Sequence, residues 1–127
     1  MTLQITSILT GLFCLFMVTL SLRVSLRRRE MNVSVGDGGD KVLQRRIRAH
    51  GNFIENAPLM VLAVAVIEYN AGVRWLVAVI ALAFLVSRVV HAIGILYMER
   101  PTLRAIAMVM QHSAFVVAGV WLVWTAI

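Results

Sequence analysis

Charged and amide side chains interrupt segments that are otherwise apolar, and these residues are the ones able to do chemistry. They are Arg45, Arg48, His50, Asn52, Glu55, Arg88, His91, Arg104, Gln111 and His112. If the apolar segments cross a membrane, each ionisable residue inside one costs at least ~2.5–3.5 kcal/mol on insertion scales. Each of them therefore needs a polar partner, a water-filled cavity or a function.

The spacing of these residues places them on common helix faces. At ~100° per residue, the first group spans an arc of about 80° and consists of Arg45, Arg48, Asn52 and Glu55. Arg88 and His91 lie about 60° apart on a later segment, and Arg104 and Gln111 share a stripe of the last one. Three helices thus each present a polar stripe toward the same end.

If the three stripes converge, they form a pocket that is rich in arginine and holds one carboxylate and one amide. Such a pocket suits a small, multiply charged anion that also carries an amine. The alternative is that Glu55 neutralises Arg48 or Arg88 in a buried ion pair that fixes helix packing without any ligand. Glu55 is the only acid of the set, however, and four arginines compete for it, so the excess positive charge favours an anion.

The composition indicates that the chain is an integral membrane protein. Of its 127 residues, 61% are hydrophobic and 14% are charged, and the mean hydropathy is +0.88. These values lie outside the range of soluble domains. A spanning helix needs about 20 mostly apolar residues, so we expect one all-α domain over residues 1–127, a four-helix membrane bundle with spans at about 3–26, 41–68, 74–97 and 102–124.

The net charge of +6 is explained by membrane topology rather than by nucleic-acid binding, because most arginines lie near the ends of the apolar segments. Arg27 to Arg29 end the first span, which predicts that this end faces the cytoplasm and that both termini face away from it. A loop from Asn32 to Asp40 follows, with Asp40 placed to cap the second helix. Cys14 is the only cysteine, which excludes a cysteine-based metal site, and we expect it to be buried.

The segment from Arg45 to Pro58 carries a motif that is long and unusual for a membrane helix. Its core, R-A-H-x-N-x-x-E-x-x-P, resembles the signature of the membrane-associated proteins in eicosanoid and glutathione metabolism, the MAPEG family. The resemblance covers essentially the whole chain, including the Arg88 and His91 pair and the turn from Pro101 to Arg104. The Gly-Asp-Gly-Gly loop resembles the small bacterial branch of the family, whose members lie in the inner membrane.

This resemblance implies a homotrimer that binds glutathione between neighbouring subunits, at the cytoplasmic half of the membrane. By motif position, Arg48 and Asn52 would hold glutathione, and Glu55 would take its amino group. The remaining glutathione-binding residues implied are Arg45, Arg88 and His91. Arg104 corresponds to the arginine that stabilises the glutathione thiolate in several members, and it is therefore the implied catalytic residue. The alignment at the end of the first helix is loose, and Arg23 or Arg27 would match a ligand-contacting arginine there.

The activity implied is that of a transferase or peroxidase in which the glutathione thiolate attacks a lipophilic electrophile or hydroperoxide that arrives from the membrane lipid. Two departures from the family pattern matter. Gln44 stands where many members carry glutamate, and Ile95 stands where active members carry a tyrosine hydroxyl, which Tyr97 does not replace because it lies on the opposite face. The alternative is therefore a non-catalytic membrane protein that binds a thiol or a lipid headgroup in a structural or sensing role. A proton-coupled exporter is disfavoured, since the first span contains no acid.

Overall fold

The computed structural model describes residues 2–70, 73–97 and 101–127. All regular structure within these ranges is helical: α1 is Gln4–Met31, α2 is Lys41–Tyr69, α3 is Arg74–Leu96 and α4 is Pro101–Ala126. Each of these helices is long and apolar enough to cross a membrane, which confirms the predicted four-helix membrane bundle. The connections between the second and third and between the third and fourth predicted spans fall partly outside the described residues, at 71–72 and 98–100.

The helix boundaries agree with the predicted spans to within two residues, except at the end of α1. This helix continues to Met31, beyond the apolar segment, because arginine is a good helix former and the basic run does not break it. Asn32 ends the helix in the left-handed region with φ 54°, and its N–H donates to the carbonyl of Arg29. The loop predicted from Asn32 to Asp40 is confirmed.

A chain of aromatic rings joins all four helices at the centre of the bundle. Phe13 of α1 packs edge to face on Phe53 of α2, with ring centroids 5.2 Å apart, and lies 5.8 Å from Phe84 of α3. Phe84 in turn packs on Phe115 of α4 at 5.4 Å. Edge-to-face pairs add about 0.5–1.5 kcal/mol each beyond the area that they bury. This cluster fixes the relative depth of the helices just beyond the polar residues.

Glu68, near the end of α2, binds the first turn of α1. Its carboxylate accepts hydrogen bonds from the backbone N–H groups of Ile5 and Thr6, at 2.9 and 2.8 Å, and from the Thr6 hydroxyl at 2.7 Å. The first N–H groups of a helix have no partner within the helix, and the helix dipole favours an anion there. Glu68 therefore serves as an N-terminal cap supplied by a different helix.

Asp40 joins the same two helices at the opposite end of the bundle. Its carboxylate accepts from the backbone N–H of Leu43 at 2.6 Å, which confirms the predicted cap of α2. It also receives two hydrogen bonds from the Arg27 guanidinium, at 3.1 and 2.8 Å. The bonds from Arg27, and then the bond from Leu43, lower the pKa of Asp40 from its ordinary 3.8 to about 2.

The contact between α3 and α4 depends on a glycine. Gly94 is buried, and a Cβ atom added to it would lie 3.2 Å from Cγ of Arg104 and 3.6 Å from the Arg104 backbone nitrogen. Because there is no side chain at position 94, the start of α4 lies directly against α3. This close approach places Arg104 beside the end of α3.

The expected burial of Cys14 is wrong. Cys14 is exposed and lines an apolar groove of about 600 Å³ between α1 and α2, together with Phe53 and Pro58. The two helices are joined by polar contacts near their ends. Between those ends Phe13 packs on Phe53, and both rings form part of the wall of the groove. Proline at position 58 lies within α2, which runs through it as one helix.

The cap of α1 predicts a specific loss of stability. Glu68→Gln replaces the carboxylate that accepts three hydrogen bonds with a neutral amide. We expect this change to lower the free energy of unfolding by about 1–2 kcal/mol. Thermal unfolding in a mild detergent measures this change. Glu30→Gln is the matched control, because Glu30 pairs with Arg27 at an exposed position, and surface pairs contribute little. Equal unfolding temperatures for the two variants would contradict the cap.

The lowered pKa of Asp40 predicts a pH dependence of definite sign. Because the folded pKa lies below the unfolded one, the carboxylate stabilises the fold above about pH 4, and this stabilisation is lost as the pH falls through about 2. The difference in unfolding temperature between the wild type and Asp40→Asn should therefore shrink over that interval. Asp37→Asn is the control, since the Asp37 carboxylate accepts from the Gly39 N–H in the same loop. The same trend in both variants would rule out the Arg27 bond as its cause.

Candidate functional site

The first half of α2, the end of α3 and the start of α4 enclose a polar cavity. Its volume is about 340 Å³, within the ~300–1,000 Å³ range of small-molecule sites. Its lining residues are Ile47, Arg48, Gly51, Asn52, Glu55, His91, Ile95 and Arg104. The predicted residues Arg48, Asn52, Glu55, His91 and Arg104 thus come together from three helices, as the polar stripes require.

A second cavity of similar volume adjoins the first. It is lined by Gln44, Arg45, Arg48, Gly94, Ile95 and Arg104. Arg48, Ile95 and Arg104 line both cavities, so the two form neighbouring parts of one region. Arg45, also predicted as a binding residue, belongs to this second cavity. Three arginines and no acid occur among its described lining residues.

Arg88 lies outside the lining of both cavities and is buried in the bundle. Only 2% of its surface is exposed. Its Nη1 donates to Oδ1 of Asn52, its Nε donates to the Ser87 hydroxyl at 3.3 Å, and its guanidinium lies over the Phe84 ring, 5.4 Å from the centroid. Its Nη2 finds no acceptor among the described residues. The buried cation is therefore held by neutral groups alone within the described part of the subunit.

The bond from Arg88 fixes the orientation of the Asn52 amide. Arginine only donates, so the Asn52 oxygen must face Arg88, and the Asn52 NH₂ remains available to the cavity that Asn52 lines. The backbone oxygen of Asn52 accepts from Asn56, whose side-chain oxygen accepts from Gln111 of α4, both at 2.8 Å. A continuous set of polar contacts thus connects α3, α2 and α4 and presents a hydrogen-bond donor to a ligand.

Glu55 forms no ion pair or hydrogen bond with the described residues of the chain. It is exposed, and its Oε1 lies 3.9 Å from the position that a Cβ of Gly51 would occupy. The carboxylate therefore lies along α2 in the space left by this glycine. The alternative in which Glu55 pairs with Arg48 or Arg88 within one subunit is not realised, and the carboxylate is accessible to a cation.

The charge of the site is strongly positive. Arg48 and Arg104 are exposed around the cavity, Arg88 lies behind Asn52, and Glu55 is the one acid among the described lining residues. Burying an unpaired charge costs several kcal/mol, and an opposite charge nearby offsets part of that cost. The arrangement favours a ligand that has more than one negative group and a single positive one.

Sequence reasoning missed three residues that line the cavities, Gly51, Gly94 and Ile47. Gly94 lines the second cavity and allows Arg104 to approach α3; its signal is a glycine inside an otherwise strongly apolar helix, where glycine usually needs a packing reason. Ile47 lines the first cavity but carries no signal in the sequence, since an isoleucine on a membrane helix is ordinary.

Known proteins resemble this chain over most of its length. The family model described as "MAPEG family" matches residues 6–124. The chain is 30% identical over 91 residues to inner membrane protein YecN of Escherichia coli strain K12, and this alignment covers 72% of the chain and 70% of that protein. The YecN protein of E. coli O6:H1 strain CFT073 matches to the same extent. No solved structure shows significant similarity.

The family match includes every helix and every residue of the polar cavities. It agrees with the motif of α2 and with four helices able to cross a membrane. The chain is therefore an integral membrane protein that belongs to the MAPEG family.

Proposed function

We propose that the protein binds glutathione in the polar cavity and activates its thiol against lipophilic electrophiles or hydroperoxides. The observation that carries this proposal is the convergence of Arg48, Asn52, Glu55, His91 and Arg104 on one cavity. Glutathione has two carboxylates, one ammonium group and one thiol. Its charges match several cationic groups and a single accessible carboxylate.

The geometry suggests how each group of glutathione is held. The ammonium group pairs with Glu55, which has no competing partner among the described residues of the subunit. One carboxylate accepts hydrogen bonds from the Asn52 NH₂ and from the Arg48 guanidinium. A guanidinium binds a carboxylate through two parallel hydrogen bonds. The other carboxylate extends toward Arg45 in the adjoining cavity. Arg88 acts through Asn52, because it fixes the amide in the orientation that donates to the ligand.

The openness of the cavity supports a site shared between subunits. Arg48 and Glu55 are exposed in the single chain although they lie within α2, and exposed charges are unfavourable in a lipid environment. A homotrimer places a neighbouring subunit over this surface and closes the cavity.

The chemical step depends on the thiolate form of glutathione. A free thiol has a pKa near 8.5, and a nearby guanidinium lowers it. Arg104 is the residue proposed for this role, because it lines both cavities from the start of α4. In conjugation, the sulfur forms a bond to the electrophilic carbon, and a proton neutralises the oxygen or carbon anion that results. With a hydroperoxide, the thiolate sulfur bonds to the outer oxygen as the O–O bond breaks, and the released alkoxide takes up a proton to become an alcohol. The thiol of a second glutathione then displaces water from the resulting sulfenic acid and forms the disulfide.

A second function is favoured by one residue. Ile95 lines both cavities. By the motif resemblance, catalytically active members of the family carry a tyrosine at this position. No tyrosine occurs among the described lining residues, so the only proposed thiolate-stabilising group is a guanidinium. The protein would then bind glutathione, a related thiol or a lipid headgroup in a structural or sensing role without turnover.

The proposed location is a bacterial inner membrane, as the name of the relative YecN states for that protein. The basic run from Arg27 to Arg29 lies at the end of α1, so the positive-inside tendency places this end, and the cavities beside α2, on the cytoplasmic side. Both ends of the described chain then face away from the cytoplasm. This orientation gives the cavity access to cytoplasmic glutathione.

Calorimetric titration of the detergent-purified protein with glutathione tests the proposal. We expect saturable binding by the wild type and at least a tenfold loss of affinity in Glu55→Gln, since a hydrogen bond to a charged group contributes ~1.5–3 kcal/mol. Glu30→Gln removes a carboxylate outside the cavity and should bind normally. If the wild type does not bind, or if both variants bind alike, glutathione is not the ligand of this cavity.

The role of Arg104 predicts a change in the titration of the bound thiol. We expect Arg104→Ala to raise the pKa of bound glutathione by about one unit, because it removes the guanidinium beside the sulfur. Thiolate absorbance at saturating glutathione, measured against pH, reports this change. Arg104→Lys keeps a positive charge and should give an intermediate value. An unchanged thiolate titration in Arg104→Ala would exclude this role for Arg104. If turnover were slow in the same variant, Arg104 would instead position the substrate.

A further inference from the structure

We infer that the protein has a second anion site, separate from the glutathione cavity, that binds the phosphate of an anionic phospholipid. The site is a cavity at the end of the bundle where α1 ends, α2 begins and α3 ends. Its volume is about 80 Å³, and it is lined by Arg23, Val42, Arg45, Arg46, Leu96 and Tyr97. One water needs about 10–15 Å³ by this measure, so the cavity has room for a phosphate group.

Two of the arginines of this cavity, Arg23 and Arg46, are already held in place. The Arg23 guanidinium lies over the Tyr97 ring, 5.2 Å from the centroid, and Nη1 of Arg46 donates to the backbone oxygen of Arg23 at 2.8 Å. Each guanidinium has five N–H donors, so these contacts leave donors for an anion. A pocket that fixes its cations before binding loses less conformational entropy when the ligand arrives.

The charge of the cavity selects an anionic headgroup over a zwitterionic one. The charged side chains among its described lining residues are all arginines. Asp40 lies close enough to Arg46 to have its own pKa lowered by it, but the Asp40 carboxylate is occupied by Arg27 and by the cap of α2. Among the described residues that line the cavity, a headgroup ammonium therefore finds no free carboxylate. Basic pockets between membrane helices bind anionic headgroups for the same reason.

An apolar stripe on α3 leads to this cavity, which favours a lipid over a free anion. Leu82, Val86, Val89 and Ile93 are exposed by 61%, 39%, 37% and 40%, and their spacing of three or four residues continues to Tyr97, which is 62% exposed. From position 82 to position 97 the stripe is about 22 Å long at 1.5 Å per residue. This length accompanies an acyl chain through one leaflet of a ~30 Å hydrocarbon core. The stripe and the basic cavity together match a ligand with a phosphate head and an acyl tail.

This site adjoins the proposed glutathione site, but it can be tested separately. The cavities share Arg45 as a lining residue, but Glu55, Asn52 and Arg104 line only the former cavities, and Arg23 and Tyr97 line only this one. Arg23 is the residue to vary, since its guanidinium lies within the lipid cavity. Arg29 is its matched control, because it carries the same charge two turns later on α1 and is exposed outside the cavity.

The experiment measures contact between a lipid chain and the α3 stripe in the full-length protein, reconstituted in vesicles. A fluorophore on Val89→Cys, in a Cys14→Ser background, is quenched by brominated acyl chains. Vesicles contain phosphatidylcholine with either brominated phosphatidylglycerol or brominated phosphatidylcholine at equal amounts. We expect at least threefold stronger quenching by phosphatidylglycerol at Val89→Cys, and equal quenching by the two lipids at Val109→Cys, which lies at a similar depth on α4 and is 65% exposed.

Variants and competition decide between the remaining explanations. Arg23→Gln should abolish the preference for phosphatidylglycerol, whereas Arg29→Gln and Arg23→Lys should retain most of it, which also shows that the fold tolerates change at position 23. If Arg29→Gln lost the preference for phosphatidylglycerol to the same extent, general surface charge would explain the preference, and the proposal of a lipid site would be wrong. Loss of the preference on adding inorganic phosphate would identify a free anion instead of a lipid. Absence of quenching by either lipid at Val89→Cys would mean that a second copy of the chain covers this stripe.

Discussion

The interaction on which the polar part of the molecule depends is the hydrogen bond from Arg88 to Asn52. In an apolar bundle each polar group must find its partners within the protein, since water and lipid supply few. The bond joins α3 to α2 and fixes the Asn52 amide, and the contacts from Asn56 and Gln111 extend the set to α4. Helix packing and ligand recognition therefore rest on the same side chains.

The buried cation also explains why the cavity suits an anion. Arg88 has lost most of its hydration and has no carboxylate partner among the described residues. Exposed Arg48 and Arg104 add further positive charge at the same end of the helices. Glu55 could have neutralised one of these groups, but it lies over Gly51 and remains accessible. The protein thus retains an electrostatic imbalance that a ligand with two carboxylates and one ammonium group would correct.

Much of this arrangement follows from the sequence, because helical periodicity is regular over long apolar segments. The polar stripes of α2, α3 and α4 indicate that Arg48, Asn52, Glu55, His91 and Arg104 can share one cavity, and Asp40 is identifiable as a cap by type and position. Contacts between distant segments are not predictable in this way. The position of Glu68 at the end of the second predicted span gives no sign that it accepts hydrogen bonds from Thr6, and Cys14 is predicted to be buried although it lies exposed in the groove between α1 and α2.

The two carboxylates that join α1 to α2 have a consequence for how the first helix can change in evolution. Asp40 holds Arg27, and Glu68 holds the backbone at Thr6, so the helix is fixed at two points 21 residues apart in sequence. Inserting one residue between these points shifts the rest of the helix by about 1.5 Å and rotates it by about 100°. One of the two attachments then breaks, or Phe13 leaves its place against Phe53. Length variation in this part of the chain is therefore confined to the loop before Asp40, where Gly36, Gly38 and Gly39 already adopt positive φ angles.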